Sequence, residues 1–208
     1  MPRMNLDKRK ILEAAGALAN ELSVKKLSLN ALAARLGIKP PSLYNHVESL
    51  DRLRRDLMAY GWETLGDEIS DVLIGVSGDE AIRRACNVIY DYAARNPGVF
   101  EAMAYYNSDD GEGDSPADRL SAIVYRLCSA RDVSEAQAVH VLRVFRSYVE
   151  GFALLAQHRS FSRDVPVRES FDLGVEFLIA GIHRLEDAHR AQPENGSGKP
   201  PEGSGNYE

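Results

Sequence analysis

The chain is poor in groups that carry out covalent or redox chemistry. It has only two cysteines, Cys86 and Cys128, in 208 residues. Neither has a Cys or His neighbour at metal-ligand spacing. This argues against zinc and iron–sulfur sites and for two reduced, half-buried thiols in a cytoplasmic protein. The five histidines show no ligand spacing either. Gly-x-Ser-x-Gly, His-Glu-x-x-His and a glycine-rich phosphate loop are all missing, so no catalytic residue and no metal ligand is assigned and an enzyme is not expected. Asp109–Asp114 has the composition of a calcium loop but not its spacing, and reads as a solvated loop. No apolar stretch approaches the ~18 residues that a membrane span needs. The N-terminal MPRMNLDKRK has no apolar run behind its charges, unlike a secretory signal. Alternating strand patterns and internal repeats are missing too.

What is present is charge divided unevenly. The chain carries −6 overall. Residues 1–66 hold 11 Lys and Arg against 7 Asp and Glu, a net +4; residues 67–208 hold 14 against 24, a net −10. A basic third on an acidic remainder suits a protein that meets phosphate at one end.

Apolar residues recur at helical spacing almost throughout, which predicts an all-α protein. Ile11, Ala15, Leu18 and Leu22 form the first stripe. Ser28 can cap a second helix with an inner face of Leu29, Leu32, Ala33 and Leu36. Gly37 ends it where a sharp turn favours positive φ. Pro40 and Pro41 open a short helix, expected over Pro40–Val47, because first-turn amides have no intrahelical acceptor. Ser49 caps a longer helix running through Leu73 towards Gly75. The charge shift falls inside it, near Gly66, so the spacing predicts domains over 6–66 and 67–191. Helices are expected over 79–96, 99–106, from Ser115-Pro116, over 134–158 and over 170–190, and the Gly/Pro/Ser-rich tail 192–208 is expected to be disordered.

Residues 28–55 thus read as a helix-turn-helix. The second short helix buries only Leu43 and Val47. Its outward face holds Lys39, Pro41, Ser42, Tyr44, Asn45 and His46. Small Pro and Ser side chains let a backbone approach base edges. Ser42 can hydrogen-bond there and Asn45 can pair with adenine. Tyr44 and His46 reach phosphate oxygens. The helix starts at Ser28 and Ser49 offer amides to phosphate, and Lys25, Lys26, Arg52 and Arg55 add attraction. The same spacing also suits a three-helix bundle that docks another protein.

These residues resemble the TetR family of transcriptional regulators. The match lies in Ser28, Leu32-Ala33, Leu36-Gly37-Ile38, Ser42-Leu43-Tyr44, His46, Ser49 and Leu53. It covers residues 8–57 closely and the helical remainder loosely. Pro40–His46 is similar to a subgroup whose ligand domain carries Trp-His-Gly; here Val149-Glu150-Gly151 stands in that place. Two departures bear on DNA contact. Lys39 replaces the usual Ser or Thr, and a cation at a helix start is favourable only beside phosphate. Leu50 replaces a common lysine, a contact Arg52 can supply.

The resemblance implies a homodimeric repressor of a palindromic operator, released by a small apolar or amphipathic effector, with no other cofactor. An activator, a regulator without ligand and a helical protein-interaction module are the alternatives. In the second half, helix 134–158 is apolar nearly all round, as if buried on two sides. Together with the last helix it suggests a four-helix dimer interface through Val141, Gly174, Phe177, Gly181 and Leu185; packing within one chain is the alternative. Pocket candidates are Cys86, Tyr90, Phe100, Met103, Tyr106, Tyr125, Cys128, Phe145, Tyr148 and Phe152, or else ordinary core. Glu150 lies in an apolar stretch, where it meets a cationic ligand or pairs with Arg143 or Arg146.

Overall fold

The computed structural model describes residues 6–105 and 115–191. Tyr106, the acidic loop and the tail 192–208 lie outside the described residues. The described elements are helices: α1 Lys8–Leu22, α2 Leu29–Arg35, α3 Pro40–Leu43, α4 Leu50–Leu73, α5 Gly78–Arg95, α6 Pro97–Tyr105, α7 Pro116–Ser129, α8 Glu135–Gln157 and α9 Val167–Arg190. A single 3-10 turn, Val24–Lys26, joins α1 to α2.

The helix starts are set by local chemistry. The side chains of Asp7, Ser28 and Ser49 accept the amides of Lys10, Ala31 and Arg52. Ser115 with Asp118 and Ser134 with Gln137 close full capping boxes. Each satisfies amides that the helix leaves free. Gly37 takes φ +66° between α2 and α3, a conformation an L side chain resists.

The first three helices and the start of α4 close on one core. Ile11, Leu27, Leu32, Leu43, Leu53 and Leu57 are its largest fully buried side chains. The core continues without a break along α4 through Trp62, Leu65 and Ile69, and takes in Val99, Phe100 and Met103 of α6. A second cluster joins Ile82 and Cys86 of α5 to Val141, Phe145 and Val149 of α8 and to Phe171, Val175 and Ile179 of α9.

Helix α4 passes Gly66 with no interruption. The head is fastened a second time, through α6. Asn20 Oδ1 accepts the first-turn amides of Gly98 and Val99, at 2.9 and 3.1 Å. Glu101 accepts from the Ser23 hydroxyl at 2.8 Å and the Val24 amide at 3.2 Å. Gly98 permits this approach: a Cβ there would lie 2.1 Å from the Ala19 carbonyl oxygen.

Two boundaries differ from expectation. Helix α3 is one turn, and residues 44–46 follow as turn rather than helix. After Leu43 the hydrogen bonding loosens, with the Tyr44 amide 3.4 Å from the Pro40 carbonyl and the His46 amide turning to the Leu43 carbonyl at 2.9 Å. Helix α9 begins at Val167, three residues earlier than expected, directly after Pro166.

Candidate nucleic-acid interface and effector cavity

Leu43 and Val47 anchor the recognition segment in the head core, at 0% and 6% exposure. Everything polar between them and before them faces solvent. Lys39, Pro41, Ser42, Tyr44, Asn45 and His46 are all exposed, Tyr44 at 58%. None of the side chains of Lys39, Ser42, Tyr44, Asn45 and His46 has a hydrogen bond or ion pair among the described residues. Lys39 sits at the start of α3 without a side-chain cap. The surface is therefore polar, exposed and without partners among the described residues, as an element that reads a DNA groove must be.

The flanking groups are partly engaged. Arg52 pairs with Asp56 at 3.3 Å, an acid that Lys8 also reaches at 3.2 Å. Arg55 pairs with Asp51. Arg54 donates to the Lys25 carbonyl and braces the turn before α2. Ser28 is half-buried, with its oxygen accepting the Ala31 amide.

A partly open apolar cavity lies between α4, α5, α6, α7 and α8. Of the sequence candidates, Cys86, Phe100, Cys128 and Phe145 line it. Tyr90 and Tyr148 instead stack on Phe171 and Phe152 meets it edge-on, with ring centroids 4.4, 5.7 and 5.4 Å away. Tyr148 donates to the Phe171 carbonyl at 2.8 Å. Met103 packs where α6 crosses α4; a Cβ on Gly61 would meet its sulfur at 2.6 Å. Tyr125 belongs to the second core cluster. The wall is mostly aliphatic, from Leu65, Ile82, Ile89, Leu120, Val124, Leu127, Leu142 and Val149, with Trp62, Ser121, Arg146 and Glu150. Sequence reading passed over this set because Leu and Val at helical spacing look like any core. Trp62 is the available signal: a large ring on the connecting helix, just before the charge shift near Gly66.

Glu150 pairs with Arg146 at 2.7 Å, one of its two expected arginines. Burial raises its carboxyl above the ordinary value, against the pull of Arg146. Burial likewise pushes the Cys86 thiol up to about 12 and the Cys128 thiol to about 11. Both stay protonated at neutral pH and act as apolar wall.

At the far end of α5, Arg131 is tied to Glu186 and Asp79, at 2.6 Å each, and His183 also reaches Asp79 at 2.9 Å. Arg131 and burial oppose each other at Glu186, and Arg131 wins, leaving the carboxyl low. The network joins α5, α9 and the turn after α7.

Of the suggested interface residues, Val141 lies in the chain's own core. Gly174 makes room for the Tyr148 hydroxyl, which would sit 2.0 Å from a Cβ. Leu185 is half-buried against the second cluster. Phe177, 67% exposed, and Gly181 face outward. Val144, Leu155 and Leu173 are exposed on the same two helices.

Residues 82–178 match the family model for the tetracyclin repressor-like C-terminal domain. The chain is 31% identical over 182 residues to the uncharacterized HTH-type transcriptional regulator YobS of Bacillus subtilis, covering 87% of this chain and 95% of that one. It is 30% identical over 181 residues to an uncharacterized HTH-type transcriptional regulator of Mycobacterium tuberculosis, covering 86% and 83%. A TetR variant from Acinetobacter baumannii in complex with minocycline superposes at a TM-score of 0.69 with 23% identity, over 88% of this chain and 99% of that one. No helix among the described residues is long and apolar enough to cross a membrane. An all-helical body, a solvent-facing reading segment and these matches together make this chain a DNA-binding transcriptional regulator of the TetR family.

Proposed function

We propose that this regulator is a cytoplasmic homodimeric repressor that binds a palindromic operator and leaves it when a small apolar or amphipathic effector enters the cavity. The observation that carries the reading is the recognition segment. Five polar side chains, from Lys39 to His46, face solvent with no partner in their own chain among the described residues. Ser42 and Asn45 read base edges in the major groove, and Lys39, Tyr44 and His46 hold phosphates. Arg52 and the helix start at Ser28 add flanking phosphate contacts.

Dimerisation is supported by the exposed apolar face of α8 and α9. Val144 and Leu155 of α8 and Leu173 and Phe177 of α9 are large exposed apolar side chains of the kind found at interfaces. Two-fold symmetry would place two reading segments on half-sites about one helical turn apart, or a multiple. Effector response is supported by the cavity, whose wall includes Trp62 of the helix that follows the reading segment. An effector that favours one head spacing over another shifts the population by its difference in affinity.

The test is selection of bound fragments from random double-stranded DNA at near-physiological salt. The expected product is one enriched palindrome, with log affinity falling linearly with log salt. Enrichment of a single non-repeated half-site would remove the dimer from the proposal. No enrichment by the folded protein would overturn the operator reading.

A further inference from the structure

The cavity wall carries two charges, and they are not arranged as a sealed pair. Arg146 and Glu150 are its charged residues. They lie one turn apart on α8, with Arg146 Nε donating to Glu150 Oε1 at 2.7 Å. The same guanidinium lies over the Trp62 ring, 5.3 Å from its centroid. A cation is thus already held between an aromatic face and a carboxylate, at the edge of an apolar space.

The two partners differ in how readily they leave. The Arg146 side chain is 51% exposed and the Glu150 side chain 27%. A long, half-exposed arginine swings into water easily, and ion pairs of this exposure hold weakly. Glu150 has less freedom. Its carboxylate is poorly solvated where it stands, so it gains most from a counter-ion that brings apolar surface with it. An incoming carboxylate seeking Arg146 would instead lie beside Glu150.

We propose that the effector is a lipophilic organic cation, whose charged nitrogen replaces the Arg146 guanidinium between Trp62 and Glu150 while its apolar body fills the cavity. This rests on the reading of the cavity as the effector site. Arg146 acts as the resident stand-in and swings outward on binding.

Trp62 is the chain's single tryptophan, so its fluorescence reports the site directly. The probes are decyltrimethylammonium, decanol and decanoate, each below its aggregation limit, titrated into the full-length protein. The ammonium is expected to bind at least tenfold more tightly than decanol. Glu150→Gln should abolish that preference, with a thermal melt checking the fold. Arg146→Gln should tighten the ammonium several-fold by removing its competitor, which a purely structural Arg146 would not do. Tightest binding by decanoate, lost in Arg146→Gln, would assign an anionic effector and overturn the proposal. Equal affinity for all three, or no binding by any, would overturn it as well. Release of a selected operator fragment is read separately by anisotropy. Glu150-dependent ammonium binding without release would keep the cation site and remove only the effector-response reading.

Discussion

The recognition segment and the Arg131 junction treat polar side chains in opposite ways. From Lys39 to His46 the polar side chains are exposed and have no partner among the described residues. At the junction Arg131, Asp79, Glu186 and His183 satisfy one another, with Glu186 only 8% exposed. Both regions are charged or polar, and composition alone does not separate them. The difference lies in anchoring. One-turn α3 is held through Leu43 and the following Val47, with Ile38 before it packed against the same core, so its polar face stays available to an outside partner. The junction gathers its groups from three separate elements and turns them inward. Unpaired polarity on an anchored scaffold points to an outside partner, whereas fully paired, buried polarity braces the fold; the half-exposed Arg146–Glu150 pair lies between the two.

The sharpest test of that contrast is Arg131→Ala. It leaves Glu186 buried without its partner, and such losses cost about 3–5 kcal/mol. Chemical denaturation should show that loss, while the operator sequence selected from random DNA stays the same. The pH dependence has a definite sign. Glu186 and Asp79 both titrate below their ordinary values of 4.5 and 3.8 in the folded protein. At Asp79 burial acts to raise the value, and His183 and Arg131 overcome it. Depressed carboxyls stabilise the fold above their unfolded values, and that contribution is lost as pH falls through the folded ones. Acid unfolding of the wild type below about pH 4 should therefore be steeper than that of Arg131→Ala.

Next in size is Gly98→Ala. Its Cβ would collide with the Ala19 backbone, and overpacking of this kind costs about 1–3 kcal/mol. Hydrogen exchange should show faster amides at the α1–α6 contact, a change that spares the Arg131 junction. Tyr44→Ala comes third and inverts the pattern. Operator affinity should fall at least tenfold, about 1.4 kcal/mol, with the thermal melt unchanged. A joint loss of folding would make Tyr44 a packing residue and erase the contrast. The smallest effect is expected for Lys39→Ser. A serine there can cap α3, so stability should rise slightly. The salt slope of operator binding should drop by about one unit. An unchanged slope would exclude Lys39 from phosphate contact.

The head was legible in the sequence because its signals are local. Ser28, Gly37, Pro40, Pro41 and Ser49 each dictate the backbone within one turn of themselves. The length of α3 was overread because apolar spacing continues to Val47 after the hydrogen bonding has loosened. The cavity was half legible. Cys86, Phe100, Cys128 and Phe145 face it, but Tyr90, Tyr148 and Phe152 found better partners in one another and in Phe171. Ring-on-ring packing across three helices has no signature in one helix's spacing. Asn20 was invisible for a similar reason: the amides it caps lie 78 and 79 residues away.

Helix α4 runs 24 residues unbroken, a rod about 36 Å long. Trp62 stands near its middle, about 18 Å from the end that carries the reading segment. A tilt of about 10° there sweeps the near end through about 3 Å, close to the rise of one base pair. On the proposed effector response, no hinge would be needed to turn a crowded cavity into a displaced head: the unbroken helix would act as a lever with its fulcrum beside the tryptophan.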